Sequence, residues 1–281
     1  MPVRLAILTP DPADAYYAPL WRAAYEHYRD AFAAAGVETV AAPWVEPWPA
    51  DVAAALAVRA WGYHKRIGHW RAALNQASIN LINSSPILLW NTEKTYLAGL
   101  AEAGVPVVPT RFTEVVNDAV LAEAFAAFDT DRLVVKPTVS AGSYFTSVVK
   151  PGDAPPVLPG TAMIQPFLDA VRGEGEISLF YFAGLLSHAA RKVAAEGDFR
   201  VQPQFGGAME KIEADAEMRA VAQAVLAATP GALTYARVDM IRDRDGRLKL
   251  MELEAIEPDL FLELDPDAAG RFVEAVVAAL G

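Results

Sequence analysis

Four ionisable residues near the C-terminus are spaced to do chemistry together: Arg237 and Asp239 in the run Tyr235–Met240, and Glu252 and Glu254 in Leu250–Glu254. Between the runs lies Asp245-Gly246, a strong hairpin signal because a type I′ turn needs positive φ at both central positions. With those two residues at the turn, Arg244 faces Arg247, Asp239 faces Glu252, and Arg237 faces Glu254. Strand alternation then puts all four functional side chains on one face. Like charges directly opposed destabilise a strand pair, and two carboxylates ~4 Å apart repel by roughly 4 kcal/mol at an effective dielectric near 20. A divalent cation reverses that sign. Hard oxygen ligands on a hairpin suit Mg²⁺, which takes one or two carboxylates and completes its shell with water and nucleotide phosphates. A solvated strand face with Arg237 bridging the acids is the other reading of the same pattern.

The elements that must position this hairpin begin with Val3 to Leu8, a buried strand, and Tyr16 to Ala35, an Ala-rich helix stopped by Gly36. Val37 to Ala42 reads as a second strand, Asp51 to Ala77 as one or two helices, and Ile79 to Ile82 as a third strand. This alternation predicts an α/β fold with a parallel sheet. Asn91 or Thr92 is placed to cap a helix running to Ala103 and closed by Gly104, and Pro106 and Pro109 bracket a strand. The middle of the chain is β-rich: Leu133 to Lys136, Tyr144 to Val149, Ala162 to Leu168, Glu176 to Phe182 and Leu185 to His188. A helix from about Asp215 to Ala228 precedes the hairpin, and Asp267 to Leu280 closes the chain as an amphipathic helix.

Composition narrows the function. The chain has 281 residues, 53% of them hydrophobic, enough for a sizeable core. A net charge of -11 argues against a general nucleic-acid binder while allowing a nucleotide site with a few local cations. With no cysteine, thiolate catalysis, disulfides and Cys-based zinc sites are excluded. Met1 to Pro10 lacks the features of a signal peptide, and no run approaches the ~20 apolar residues of a membrane span. The expectation is a cytoplasmic protein with no membrane partner. His27, His64, His69 and His188 show no metal spacing, no G-x-S-x-G elbow is present, and Trp44, Trp61, Tyr63 and Trp70 read as core or pocket wall.

Further candidates lie upstream of the hairpin. Lys136 ends a strand and is followed by the small-residue loop Ser140-Ala141-Gly142-Ser143, whose amides and hydroxyls could approach phosphate oxygens. That loop lacks the glycine spacing of a Walker motif or a dinucleotide fingerprint, and a surface turn is its simplest alternative. Gln165-Pro166-Phe167-Leu168 is a strand exit at which Pro166 interrupts the ladder, leaving backbone groups for a planar base. Glu176 begins a strand after a flexible Gly-Glu-Gly, and Lys192 and Arg200 flank a polar loop.

In this order, Lys94, Lys136 with its loop, Gln165 to Leu168, Glu176, Lys192, Arg200, Arg237, Asp239, Glu252 and Glu254 resemble the ATP-grasp superfamily. The likeness is greatest to the glutathione-synthetase-like and ribosomal-modification-type branches and to the cyclo-ligase that closes the D-cycloserine ring. Trp90 to Leu97, Gly197 to Arg200 and Glu252 to Pro258 carry the last comparison. The resemblance implies a Rossmann-like pre-ATP-grasp domain at 1–90, a central subdomain with the lid loop at 91–168, and a C-terminal subdomain with the metal site at 169–281. It implies that Lys94 and Lys136 hold ATP phosphates under a lid of Ser140, Gly142 and Ser143. Gln165 and the Phe167-Leu168 backbone would read the adenine, and Glu176 would bind the ribose. Lys192 would assist at the phosphates or substrate, and Arg200 and Arg237 would stabilise the acyl-phosphate and the tetrahedral centre. Asp239, Glu252 and Glu254 would hold two Mg²⁺ ions, with Mn²⁺ as an alternative. The implied activity joins a small carboxylate to an amine through an acyl-phosphate; ring closure and non-catalytic nucleotide binding are the alternatives, and a homodimer is the expected assembly. Glu254 stands where many members have Asn, and Ser178 where several ribosomal-modification relatives have Arg.

Overall fold

The computed structural model describes residues 3–193 and 206–280, so Arg200 lies outside the described residues. Strands β1 (Arg4–Thr9), β2 (Glu38–Pro43), β3 (Ala54–Leu56) and β4 (Asn80–Ile82) form a parallel sheet in the order β2-β1-β3-β4. Helices α1 (Trp21–Ala34), α2 (Ile67–Gln76) and α3 (Ser85–Asn91) belong to this part, and α4 (Tyr96–Glu102) leads out of it.

A second, antiparallel sheet is built from β5 (Arg111–Thr113), β6 (Leu133–Pro137), β7 (Ser147–Val149) and β8 (Ala162–Pro166), in the order β5-β8-β6-β7, with α5 (Asp118–Phe128) packed on it. The third sheet takes β9 (Glu176–Phe182), β10 (Leu185–Val193), β11 (Ala208–Ile212), β12 (Tyr235–Arg242) and β13 (Leu248–Glu254), in the order β11-β10-β9-β12-β13. Its helix α6 (Ala216–Ala227) is capped by Asp215, whose side chain accepts from the Met218 amide.

The closing helix α7 (Ala268–Ala278) joins first sheet to third. Phe272 meets Tyr28, Phe32, Phe182 and Tyr235 at ring separations of 5.3 to 6.0 Å, so α7 shares one core with both sheets. Asn83 adds a polar tie. It takes the left-handed conformation at φ 59 and its amide bridges Tyr235 O, Ala255 O and the Thr234 amide at 2.7 to 2.9 Å.

Four expectations are corrected. The segment read as helix from Asp51 contains β3, a fully buried central strand; a strand buried on both faces shows no alternation, and its alanines carry high helix propensity. Helix α1 starts at Trp21 and not Tyr16, because the Asp14 carboxylate accepts from the Tyr16 and Tyr17 amides at 3.0 and 3.1 Å and holds a turn there. Asn91 caps nothing: it is buried and bonds Leu253 O and the Ala255 amide at 2.8 and 2.9 Å, docking α3 on the hairpin. The hairpin loop has three residues, with Gly246 N–H closing on Asp243 O and Gly246 at φ 77, the type I turn plus left-handed glycine of longer hairpins.

That last difference has a compensation. Near the loop Arg242 pairs with Leu248 and Met240 with Leu250, one step away from the expected register. A bulge at Met251 restores it, and Asp239 does face Glu252 and Arg237 does face Glu254. In an unbulged ladder of this register, Asp239 would face Met251 and both glutamates would turn toward the buried side occupied by Leu250 and Leu253.

Candidate functional site

The second and third sheets and the loops of the first enclose a cleft of about 460 Å³. Among its lining residues are Lys94, Lys136, Ser140, Gly142, Ser143, Gln165, Phe167, Leu168, Glu176, Lys192, Arg237, Asp239, Glu252 and Glu254. Every described site residue expected from sequence is therefore in one cavity.

One face of the third sheet carries most of the charge. Strand pairing sets Lys192 opposite Glu176, Ser178 beside Asp239, and Arg237 opposite Glu254. Lys192 pairs with Glu176 and reaches Asp239 at 3.4 Å. Arg237 donates to Asp239 at 2.9 to 3.1 Å and to Glu254 at 2.5 Å. Ser178 Oγ donates to Asp239 at 2.5 Å and so supports this carboxylate by a hydrogen bond. Lys94 pairs with Glu252 at 3.1 Å.

These contacts set the protonation states. Burial works against the Asp239 carboxylate, but the Arg237 and Lys192 charges and the hydrogen bonds from Arg237 and Ser178 outweigh it and hold the group below its usual range. Glu254 goes the other way: burial raises it well above normal, with Arg237 opposing and Asp239, Glu252 and Glu257 adding repulsion. Glu176 is raised by burial against the pull of Lys192. Lys136 is lowered by burial, with Glu252 resisting, and it has no ion-pair partner among the described residues.

The phosphate-side loop follows Lys136. Lys94 fastens its base, donating to Ser140 O at 2.5 Å, while its own amide bonds Thr138 O. Gly142 sits at φ 58, and a Cβ there would approach Tyr17 Oη to 3.4 Å, so the loop passes close under the N-terminal segment. Tyr144 meets His64 at 4.8 Å.

An apolar slot lies at the other end, formed by Val108, Val134, Phe167, Leu168, Val171, Ile241 and Met251. The Gln165 side chain donates to Thr110 Oγ1 at 2.9 Å. The Phe167 amide is bonded to Arg132 O at 2.9 Å and its ring packs on Arg132 and Arg172. The Leu168 amide, one residue on, bonds no backbone acceptor among the described residues.

Several lining residues escaped the sequence reading. Met251 enters through the bulge, and Tyr16, Tyr17 and Leu20 enter because the chain before α1 is not helical. The paired Asp11 and Asp14, each accepting from an amide two residues on, were the available signal. Of the aromatic group, Trp44, Tyr63 and Trp70 are buried core, while Trp61 lines the cleft.

Among the described residues no three of His, Asp or Glu form a ready-made metal cage; Asp239, Glu252 and Glu254 are bound by cations instead. The donor set nonetheless fits a hard divalent ion: Asp239, Glu252 and Glu254 offer carboxylate oxygens from adjacent strands facing one cavity, and their mutual repulsion is what such an ion would relieve.

The comparisons with known proteins agree with this construction. The RimK-like ATP-grasp domain family matches residues 134–265. The cycloserine biosynthesis protein DcsG of Streptomyces lavendulae is 34% identical over 241 residues, spanning 78% of this chain and 81% of that protein. The crystal structure of D-cycloserine synthetase DcsG superposes with a TM-score of 0.85 at 26% identity, covering 99% of this chain and 100% of that one. The ATP-grasp ligase PsnB, complexed with a minimal precursor, gives 0.68 at 18% identity, covering 99% of each chain, a likeness of fold. The chain belongs to the ATP-grasp family, and it is an ATP-dependent, amide-bond-forming ligase.

Proposed function

We propose that this ligase activates the carboxylate of a small amino acid or peptide with ATP and joins it to a nitrogen nucleophile, releasing ADP and phosphate. The observation that carries the reading is the convergence in one cleft of Lys136, without an ion-pair partner among the described residues, the Arg237 fork and three carboxylates in fixed register. A carboxylate oxygen attacks the γ-phosphorus and ADP leaves; the nitrogen then attacks the acyl carbon, phosphate departs and the nitrogen loses its proton. Phosphoryl transfer of this kind is mostly positioning and charge neutralisation.

In this reading Lys94 and Lys136 hold phosphates, Ser140, Gly142 and Ser143 close over them, and Gln165, Phe167 and Leu168 border the adenine. Glu176 turns from Lys192 to the ribose. Lys192, Arg237 and Arg200 stabilise the acyl-phosphate and the tetrahedral centre; Arg200 rests on the family resemblance alone. Asp239, Glu252 and Glu254 would hold Mg²⁺, two ions or their Mn²⁺ equivalents, which when bound would supply charge neutralisation for the transferred phosphoryl group. Lys94 and Arg237 must then release Glu252 and Glu254. The sheets at 4–82, 111–166 and 176–254 support units of 1–90, 91–168 and 169–281.

Similarity to a cycloserine biosynthesis protein favours one variant, closure of a ring by the substrate's own nitrogen. We place the protein in the cytoplasm as a homodimer; among the described residues no helix is long and apolar enough to cross a membrane. The test is phosphate release across amino acids, dipeptides and O-ureido or hydroxamate amino acids, with product masses recorded. Release tied to particular members with matching amide or ring products supports the reading; nucleotide binding without turnover across the panel favours a regulatory protein instead.

A further inference from the structure

Among the described residues six carboxylates line the cleft: Glu176, Asp239, Glu252, Glu254, Glu257 and Asp259. Five are matched by cations. Lys192 serves Glu176 and Asp239, Arg237 serves Asp239 and Glu254, Lys94 serves Glu252, and Arg59 holds Asp259 at 3.2 Å. Glu257 alone has no ion-pair partner among the described residues; the one hydrogen bond to its carboxyl is from its own backbone. Burial pushes this carboxyl up to about 8, with Lys94 opposing the rise and Glu252 adding to it. A carboxylate left this way in a ligand cleft is short of a cation, and the ligand is the available source of one.

The surroundings decide which cation. Glu257 sits at the end of the cleft made with the N-terminal sheet, where its carbonyl accepts from the Trp61 indole at 3.4 Å and the Tyr17 and Trp61 rings lie 6.2 Å apart. Phe261 lines the same cleft, its ring 5.9 Å from the Arg237 guanidinium. Mg²⁺ dehydrates reluctantly and keeps several waters, which aromatic walls cannot hydrogen-bond as oxygen ligands would. An alkylammonium suits both features, since aromatic faces attract it and a carboxylate pairs with it. Arg59, packed 4.7 Å from the Trp61 ring, fixes that wall from behind and also restrains Asp259.

We propose that Glu257 determines substrate specificity by receiving the ammonium group of a compact amino acid, beside the Trp61 ring, while Arg237 faces the carboxylate to be activated. The ammonium is a recognition group and takes no part in bond making; a different nitrogen attacks. The proposal rests on the ligase reading and narrows its substrate to molecules carrying a free amine beside the reacting acid.

The test is calorimetry on the full chain with ADP and Mg²⁺ present, using matched pairs that differ only in the amine. One pair is D-cycloserine and isoxazolidin-3-one, and others are free amino acids and their des-amino acids. The wild type should bind the aminated member of at least one pair roughly tenfold more tightly. Glu257→Gln should bring that ratio to about one while leaving ADP·Mg²⁺ affinity intact. Glu257→Asp, which keeps the charge, should retain part of the preference. A wild type without preference in any pair overturns the proposal, as does a preference that survives Glu257→Gln. Weakened ADP·Mg²⁺ binding in Glu257→Gln also overturns it, because Glu257 would then be a metal ligand. Failure of the ligase reading looks different: the wild type itself would not bind ADP in an Mg²⁺-dependent manner.

Discussion

The two ends of the cleft are built by different means. At the phosphate end the charged residues stand on paired strands: Glu176, Lys192, Arg237, Asp239, Glu252 and Glu254 are fixed by ladder register, and each acid has its cation. At the acceptor end Tyr17, Trp61, Glu257 and Asp259 come from connections that follow or precede strands, and one acid, Glu257, has no cation among the described residues. Strands hold groups to the tolerance that phosphoryl transfer requires, whereas loops can change without disturbing the scaffold. The contrast teaches that the reaction and its specificity reside in separable parts of this molecule.

Four perturbations would break or sharpen that contrast. The largest is Glu252→Gln, which removes a charge from the strand-borne end: ADP formation should fall by roughly 10²–10³ or more, with adenine-nucleotide binding partly retained; undiminished turnover would remove Glu252 from the metal site. Trp61→Ala should act only at the other end, raising the acceptor KM by about tenfold with little change in the KM for ATP. If both constants rise together, the ends are not separable.

The tie between the ends is Asn83. Asn83→Ala strands the buried Thr234 amide and Ala255 and Tyr235 carbonyls, at a cost of roughly 2–3 kcal/mol in denaturant unfolding. Acceptor affinity should suffer more than nucleotide affinity. Acid sensitivity is a separate, pH-dependent effect on the whole fold. Burial depresses both His64 and His188 to about 4, while in the unfolded chain they titrate near 6.5. Below 6.5 the unfolded chain binds protons that the folded one refuses, so stability should fall as pH drops from about 6.5 to 4, by ~2–3 kcal/mol per group, and these groups should add nothing further below that. Replacing His188 with Gln should flatten its share, read by thermal unfolding across that window.

The same division governs what the sequence made legible. Leu133 to Lys136, Glu176 to Phe182 and the Tyr235–Glu254 hairpin were readable because β-rich runs stand between turn residues, and because the order of lysines and acids follows a family pattern. The hairpin pairs were right although the turn was one residue too short, since the Met251 bulge cancels the difference; no local signal announces a bulge inside an apolar-acidic run. Strand β3 hid behind alanine, and Tyr17 behind an apparent helix. Glu257 lies within Glu252 to Pro258, a stretch that carries the family resemblance, but nothing in the sequence marks it as the acid without a cation: that comes from the cations placed beside the other five described acids, which only the tertiary arrangement supplies.

The central claim is that this cleft activates an acid as an acyl-phosphate. The direct measurement is turnover with a substrate from the phosphate-release panel whose carboxylate carries ¹⁸O, followed by mass analysis of the released phosphate. The account predicts one labelled oxygen in that phosphate for every product formed. Phosphate without label, released while product accumulates, would contradict it.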